Sequence, residues 1–167
     1  WVNGDLYDSD APAISAIDHG ITVGDGVFET CKIVDGQAFA LRRHKERMAR
    51  SAAGLGLPEP DFAILDKGID AVLGLGEPMP FGRLRFTLTA GRGPLGSDRF
   101  DSPLTYVVTA GEMAPPRGPG GLCVTPWSRN ERSPVAGLKT TSYAENVVAL
   151  AFAHERGATE AIFANSR

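Results

Sequence analysis

The sequence predicts a mixed α/β (α+β) protein, and three features support this fold class. Several short segments alternate apolar and polar residues, as strands with one buried face do, and the clearest is residues 82–89. Two segments, 42–55 and 60–73, instead repeat apolar residues at helical spacing. A stretch dense in proline and glycine at 113–121 separates these elements from a second set.

Composition limits the class of function. Of the 167 residues, 43% are hydrophobic and 22% charged, which supplies enough apolar material for a buried core. The net charge of −3 argues against a nucleic acid or an anionic membrane as the main partner. Cys31 and Cys123 are far apart in strand-like segments, so we expect reduced thiols and a cytoplasmic protein. We predict no metal site.

The N-terminal third is predicted to form two hairpins. Asn3-Gly4 is a strong two-residue turn signal inside a short strand, residues 1–7. After a loop, residues 27–34 are predicted to form a strand, and Asp35-Gly36 turns the chain into a second strand at 37–41.

The first predicted helix, residues 42–55, has a charged residue on its inward face. Four residues fall at i, i+3, i+4 and i+7 on that face: His44, Arg47, Met48 and Ser51. Taken alone, such an arginine is better explained by a snorkelling side chain or a structural ion pair.

The second face of strand 82–89 is polar, with Arg83, Arg85, Thr87 and Thr89. Such a face is either exposed to solvent, which is the default, or the wall of an anion pocket. The loop 91–99 that follows contains four glycines and prolines together with Arg92 and Arg99, but it lacks the Gly-Lys-Ser/Thr pattern of a P-loop.

We predict an N-terminal α/β domain at residues 1–112, a linker at 113–121, and the beginning of a C-terminal domain at 122–167. The last of these contains one predicted helix between strands at 122–127 and 159–164. One helix and two strands cannot bury both faces of a sheet, so we expect the second domain to be incomplete in this sequence.

Lys139 is the candidate catalytic residue. It lies in a stretch of small and hydroxyl-bearing residues, and Ser142-x-x-Glu145 predicts a capping box that begins a helix at Ser142. A desolvated lysine near a helix N-terminus has a lowered pKa and forms Schiff bases with carbonyl groups. For an isolated lysine, a position in a surface loop is the simpler explanation, so the case depends on the other motifs.

Four motifs in register make the sequence resemble the fold-type-IV family of pyridoxal-phosphate enzymes. They are Asp18-His19-Gly20 with Gly24-Asp25-Gly26-Val27-Phe28-Glu29-Thr30, His44-x-x-Arg47-Met48 with Ser51-Ala52, residues 85–93, and residues 139–146 continuing to Glu160-Ala161. The family includes branched-chain aminotransferases, D-amino-acid aminotransferases and 4-amino-4-deoxychorismate lyases. The resemblance implies a small N-terminal α/β domain, a larger C-terminal domain that is only begun here, and pyridoxal 5'-phosphate between them.

The resemblance also implies roles for individual residues. Lys139 looks like the lysine that carries the cofactor, and Arg47 looks like the arginine that binds its phosphate. The substrate-side residues implied in the same way are Phe28, Thr30, Arg85 and Arg92. The family's glutamate at the pyridine nitrogen would lie beyond the end of this sequence. A homodimer is implied as well, in which loop 91–99 reaches the partner's active site and its arginines help to bind substrate carboxylates.

Three functions are left open. 4-Amino-4-deoxychorismate lyase, which makes 4-aminobenzoate and pyruvate for folate synthesis, is favoured because residues 24–30 are closer to the lyase and D-amino-acid members. An aminotransferase for D- or branched-chain amino acids is the alternative. Thr89-Ala90-Gly91 replaces the Thr-Arg-Gly that is common in the lyase and D-amino-acid members, and Arg85 lies where branched-chain enzymes have an arginine. The third is a cofactor-free α/β binding domain in which Lys139 is inert.

Overall fold

The computed structural model describes residues 1–166, and the chain forms two compact units. The first contains Trp1–Pro115 together with the short segment Leu138–Thr141. The second contains Pro116–Gly137 and the chain from Ser142 onward. Residues 138–141 follow the predicted linker and are predicted to belong to the second segment, but the structure places them, with Lys139, in the first unit.

The first unit is built on an antiparallel sheet in the order β2-β1-β3-β4. Its strands are β1 (Gly26–Val34), β2 (Gln37–Ala38), β3 (Phe81–Thr89) and β4 (Thr105–Glu112). The turn between β1 and β2 is Asp35-Gly36, and both residues have positive φ, 47° and 75°, as a tight hairpin turn requires. The hairpin is confirmed, although its second strand has only two residues.

Three helices belong to this unit: α1 (His19–Thr22), α2 (Leu41–Leu55) and α3 (Phe62–Leu73). Both long helices are confirmed within two residues of their predicted starts, and α3 begins at Phe62 because the Asp61 side chain accepts hydrogen bonds from two backbone N–H groups of its first turn. Helix α2 packs against β1 and α3 against β4. The alternating strand is confirmed as well: Leu84, Phe86 and Leu88 are fully buried in the core.

The predicted strand at residues 1–7 is not formed. Asn3 and Gly4 make the turn, with φ of 49° and 119°, but the pairing is limited to two isolated bridges, Val2 with Asp5 and Val2 with Val107. Residues beyond Asp5 do not continue the pairing. The local turn signal was therefore right, and the strand length inferred from it was wrong.

The segment Leu138–Thr141 lies along the edge of β1. The amide of Phe28 donates a 3.1 Å hydrogen bond to the carbonyl of Lys139, and the amide of Thr141 donates one of 2.8 Å to the carbonyl of Gly26. Because β3 occupies the other edge over the whole length of β1, this segment extends the sheet on the side of β2. The amide of Lys139 also donates to Oγ of Ser51 in α2, at 3.1 Å.

The second unit contains β5 (Leu122–Arg129), α4 (Ala144–His154) and β6 (Glu160–Asn165), with the two strands parallel. The predicted capping box is wrong: α4 begins at Ala144 with Tyr143 as its N-cap, and this N-cap makes no side-chain capping hydrogen bond. The Glu145 carboxylate instead accepts a 3.1 Å hydrogen bond from Nε of Arg129. An ion pair from a neighbouring strand has replaced the local interaction.

The mixed α/β class is confirmed. Among the described residues, no helix is both long and apolar enough to cross a membrane.

Gly26 tests how closely β1 packs against β3 and against the segment Leu138–Thr141. A Cβ at this position would lie 2.7 Å from the Leu88 carbonyl oxygen and 3.1 Å from Oγ1 of Thr141. We expect Gly26→Ala to lower the free energy of unfolding by about 1–3 kcal/mol, because backbone atoms have to move. Chemical denaturation of the full-length protein, followed by circular dichroism, measures this.

The matched control is Gly111→Ala in β4, where nothing lies within 4 Å of an added Cβ. This control is expected to leave stability unchanged or to raise it by about 0.5 kcal/mol, since alanine restricts the unfolded chain. Equal effects of the two substitutions would contradict the packing argument.

Candidate functional site

Lys139 lies beside Phe28 in the first unit. The backbone pairing described above sets its Cα at the edge of β1, and its Nζ is 4.1 Å from the centroid of the Phe28 ring. The lysine is partly buried, and Phe28 is almost completely so. The amine therefore points over an aromatic face rather than into bulk solvent.

Arg85 contacts the same ring from the neighbouring strand. Its Cζ is 3.7 Å from the Phe28 centroid, and its Nε donates a 3.4 Å hydrogen bond to Oγ1 of Thr87. In the register of β1 and β3, Arg85 is opposite Thr30. Since paired residues project from the same face of a sheet, four of the predicted site residues share one surface: Phe28, Thr30, Arg85 and Lys139.

Arg47 is held by a buried carboxylate. Its Nε and Nη2 donate 2.5 Å hydrogen bonds to the two oxygens of Glu29, and Nδ1 of His44 lies 2.8 Å from the second of these oxygens. The Glu29 side chain is 0% exposed, whereas that of Arg47 is 47% exposed. The inward arginine is thus in an ion pair, as the sequence alone favoured, and its predicted contact with a cofactor phosphate stays a prediction.

Sequence reasoning missed Glu29 as a functional candidate. The signal was available, because Glu29 lies in the middle of a strand on the same face as the apolar Val27 and Cys31. His44 and Arg47 share the inward face of the next helix. Burial by itself raises the pKa of the Glu29 carboxyl, but hydrogen bonds and charge from Arg47 and His44 outweigh it and leave the pKa below its usual range.

Lys139 has a lowered pKa. Burial is the main cause, because it disfavours the charged ammonium, and the guanidinium groups of Arg47 and Arg85 add repulsion. The Glu29 carboxylate opposes these effects but does not cancel them. The side chain therefore holds a larger fraction of neutral, nucleophilic amine near neutral pH than an exposed lysine does.

Arg92 and Arg99 lie apart from this surface. Arg92 is exposed and lines a cavity of about 920 Å³ whose lining residues include none of the four site residues named above. Arg99 donates two 2.6 Å hydrogen bonds to Asp25 and further bonds to the carbonyls of Leu55 and Gly56 at the end of α2. The guanidinium of Arg99 therefore joins loop 91–99 to Asp25, which immediately precedes β1, and to the end of α2.

The chemistry of the group fits a cofactor with an aldehyde and a phosphate. A lysine amine of lowered pKa is the nucleophile that a carbonyl requires, and arginine forks match phosphate and carboxylate geometry. Pyridoxal 5'-phosphate has both functional groups. The residues that would hold it in this unit are Lys139 and Arg47.

The comparison with protein families agrees with this site. The family described as "Amino-transferase class IV" matches residues 26–167. The chain belongs to the class IV aminotransferase family, whose members are pyridoxal-phosphate enzymes.

Two curated relatives cover nearly the whole chain. A bifunctional aminodeoxychorismate lyase / D-amino acid transaminase of Mycobacterium tuberculosis is 28% identical and covers 99% of this chain and 60% of the relative. A putative branched-chain-amino-acid aminotransferase of Methanocaldococcus jannaschii is 30% identical and covers 100% of this chain and 59% of the relative. The chain therefore spans about 60% of the length of these relatives.

Solved structures share the fold. A fold IV transaminase from Curtobacterium pusillum superimposes with a TM-score of 0.80 at 35% identity, covering 97% of this chain and 58% of the other. A hypothetical aminotransferase from Mycobacterium tuberculosis in a PLP-bound form gives 0.79 at 28% identity, covering 99% and 62%. The predicted fold type IV is confirmed.

Removal of Arg85 tests the electrostatics of Lys139. Since the Arg85 charge lowers the pKa of Lys139, we expect Arg85→Gln to raise that pKa toward the ordinary lysine value. The rate of Lys139 acylation as a function of pH, measured by mass spectrometry on the cofactor-free full-length protein, reports this change. The acylation profile should shift to higher pH.

Arg83→Gln is the matched control, because Arg83 lies two residues away on the same strand but is not among the charges that act on Lys139. Its acylation profile should stay where it is. Equal shifts in both variants would indicate a general effect of net charge and would contradict the assignment to Arg85.

Proposed function

We propose that this protein is a pyridoxal-phosphate-dependent enzyme, most specifically a 4-amino-4-deoxychorismate lyase that releases 4-aminobenzoate and pyruvate for folate synthesis. The observation that supports enzymatic function is the partly buried Lys139 amine, with its lowered pKa, against Phe28. A surface lysine in a mobile loop would have neither property.

Lys139 has two proposed roles in this chemistry. Its amine binds the cofactor aldehyde, and after release it takes a proton from the substrate and returns one as general base and general acid. The cofactor, when bound, supplies an electron-withdrawing ring that stabilises negative charge at the substrate carbon. Burial, with added repulsion from Arg47 and Arg85, lowers the pKa of Lys139 and so favours the neutral amine that this role requires.

The other residues bind and orient. Arg47 is proposed to contact the cofactor phosphate through charge-assisted hydrogen bonds, and Arg85 to bind a substrate carboxylate. Phe28 and Thr30 are proposed to form the pocket wall on the face of β1 that they share with Arg85, and Phe28 also excludes water from one side of the Lys139 amine.

The lyase assignment rests on the relatives and on charge. The M. tuberculosis relative has aminodeoxychorismate lyase in its name. The substrate would have two carboxylates, and Arg85 provides one cationic partner. Exposed Arg92 provides the second in our proposal, from the neighbouring subunit of a homodimer.

An aminotransferase is the second candidate. The same relative also has D-amino acid transaminase in its name, and the M. jannaschii relative is called a putative branched-chain enzyme. Arg85 on β3 suits a single substrate carboxylate equally well.

We propose a cytoplasmic location, because Cys31 and Cys123 are free thiols and burial, with the Glu29 charge, raises the pKa of Cys31 to about 11.

Lys139→Ala tests the cofactor role. We expect the full-length variant to lose turnover and the visible absorbance of lysine-bound pyridoxal phosphate, with an unchanged circular dichroism spectrum, because the nucleophilic amine is gone. In the unmodified protein, borohydride reduction followed by peptide mapping should place the pyridoxyl label on Lys139. A label on another lysine would refute the assignment, and no label at all would favour a cofactor-free domain.

A substrate panel tests the reaction. Full-length protein is incubated in single turnover with aminodeoxychorismate and, separately, with D-alanine, D-glutamate, L-leucine and L-valine. The lyase proposal expects 4-aminobenzoate and pyruvate in equal amounts from the first substrate. Conversion of the cofactor to its amine form by an amino acid, without cleavage of aminodeoxychorismate, would establish the aminotransferase instead.

A further inference from the structure

Glu29 is a fully buried charged residue for which the proposed chemistry has no direct use. It lies on β1 among Val27, Cys31 and Ile33, all of them in the apolar core. A carboxylate buried there is costly unless it is paired and hydrogen-bonded. Helix α2 supplies both partners, His44 and Arg47.

The hydrogen bonds to Arg47 define its orientation. Nε and Nη2 each donate to a different oxygen of Glu29, and two parallel bonds between planar groups fix the plane of the guanidinium as well as its distance. The carboxylate is itself immobile, because β1 is hydrogen-bonded to β3 along its length and His44 binds one carboxylate oxygen. The guanidinium is therefore anchored to the sheet rather than only to its own flexible stem.

We propose that Glu29 is a positioning residue that orients Arg47 for a phosphate monoester. Arginine has a long side chain with considerable rotamer entropy, and the Arg47 side chain is about half exposed. Orientation by Glu29 removes most of that freedom before a ligand arrives, so less is lost on binding. This inference rests on the proposed function, in which Arg47 binds the cofactor phosphate.

The competing explanation is a purely structural ion pair. In that case Glu29 would stabilise the fold, and its loss would weaken every ligand of the site alike. A positioning role predicts a loss that depends on the phosphate. Pyridoxal, which has the same ring and aldehyde without the phosphate, separates the two explanations.

The experiment titrates cofactor-free full-length protein with pyridoxal phosphate and with pyridoxal, and takes the ratio of the two dissociation constants. Because both ligands bind the same folded population, any partial unfolding of a variant cancels in this ratio. We expect Glu29→Gln to reduce the preference for the phosphorylated ligand by about tenfold, the value of one well-oriented charge-assisted hydrogen bond. Pyridoxal affinity should be nearly unchanged.

Two further variants make the test specific. His44→Ala removes the other partner of Glu29 but leaves the fork to Arg47, so the preference should change much less than in Glu29→Gln. Arg47→Lys keeps the charge and loses the fork, so it should reduce the preference about tenfold or more. The double variant with Arg47→Lys and Glu29→Gln should show little further reduction of this preference, because both changes act on one interaction.

Each opposite result has a defined meaning. Three results would overturn the positioning role while the proposed function stands. The first is that Glu29→Gln weakens the binding of both ligands equally, and the second is that His44→Ala reduces the preference for the phosphorylated ligand as much as Glu29→Gln does. The third is that the double variant shows the sum of the two single reductions in preference. A natural protein that binds pyridoxal as tightly as pyridoxal phosphate would instead overturn the phosphate role of Arg47.

Discussion

The backbone pairing between Leu138–Thr141 and β1 is the interaction on which the candidate site depends. Strand β2 pairs only with Ile33 and Val34, so the first half of that edge of β1 is left to another segment. Thr140 pairs with Val27 there, and Oγ1 of Thr141 donates a 2.7 Å hydrogen bond to the Gly24 carbonyl. These bonds fix the Cα of Lys139 beside Phe28, and its Nζ lies 4.1 Å from the centroid of the Phe28 ring.

Helix α2 contacts the segment Leu138–Thr141 as well. The amide of Lys139 donates to Ser51 on α2, and Gly54 on the same helix leaves room for the Leu138 side chain, since an added Cβ would lie 2.6 Å from it. A strand and a helix thus hold the short segment from two sides. Rigid elements place reactive groups more precisely than loops do.

Charge in the first unit is divided between permanent and titratable groups. Arg47 and Arg85 stay cationic, and burial together with repulsion from these two groups lowers the pKa of Lys139. Glu29 is ionised and buried, and it holds Arg47 close to the sheet. Because Arg47 and Arg85 supply two guanidinium charges against the single carboxylate of Glu29, this group of side chains favours anionic ligands.

Most secondary-structure elements and the family could be predicted from the sequence, because these depend on short-range patterns. Alternation predicted β1 and β3, helical periodicity predicted α2 and α3, and motifs in register indicated the lysine and the arginine. Where the capping prediction from local sequence was wrong, the residue forms an ion pair with a residue distant in the sequence: Glu145 pairs with Arg129 instead of capping α4. Arg99 also forms such a pair, with Asp25. The tertiary structure alone decided that Lys139 joins the first unit and that Glu29 binds Arg47. Thr141 and Gly26 are 115 positions apart in the sequence, and Arg47 and Glu29 are 18 apart. Periodic patterns report only on neighbouring residues, so they cannot predict these contacts, which depend on how the whole chain folds.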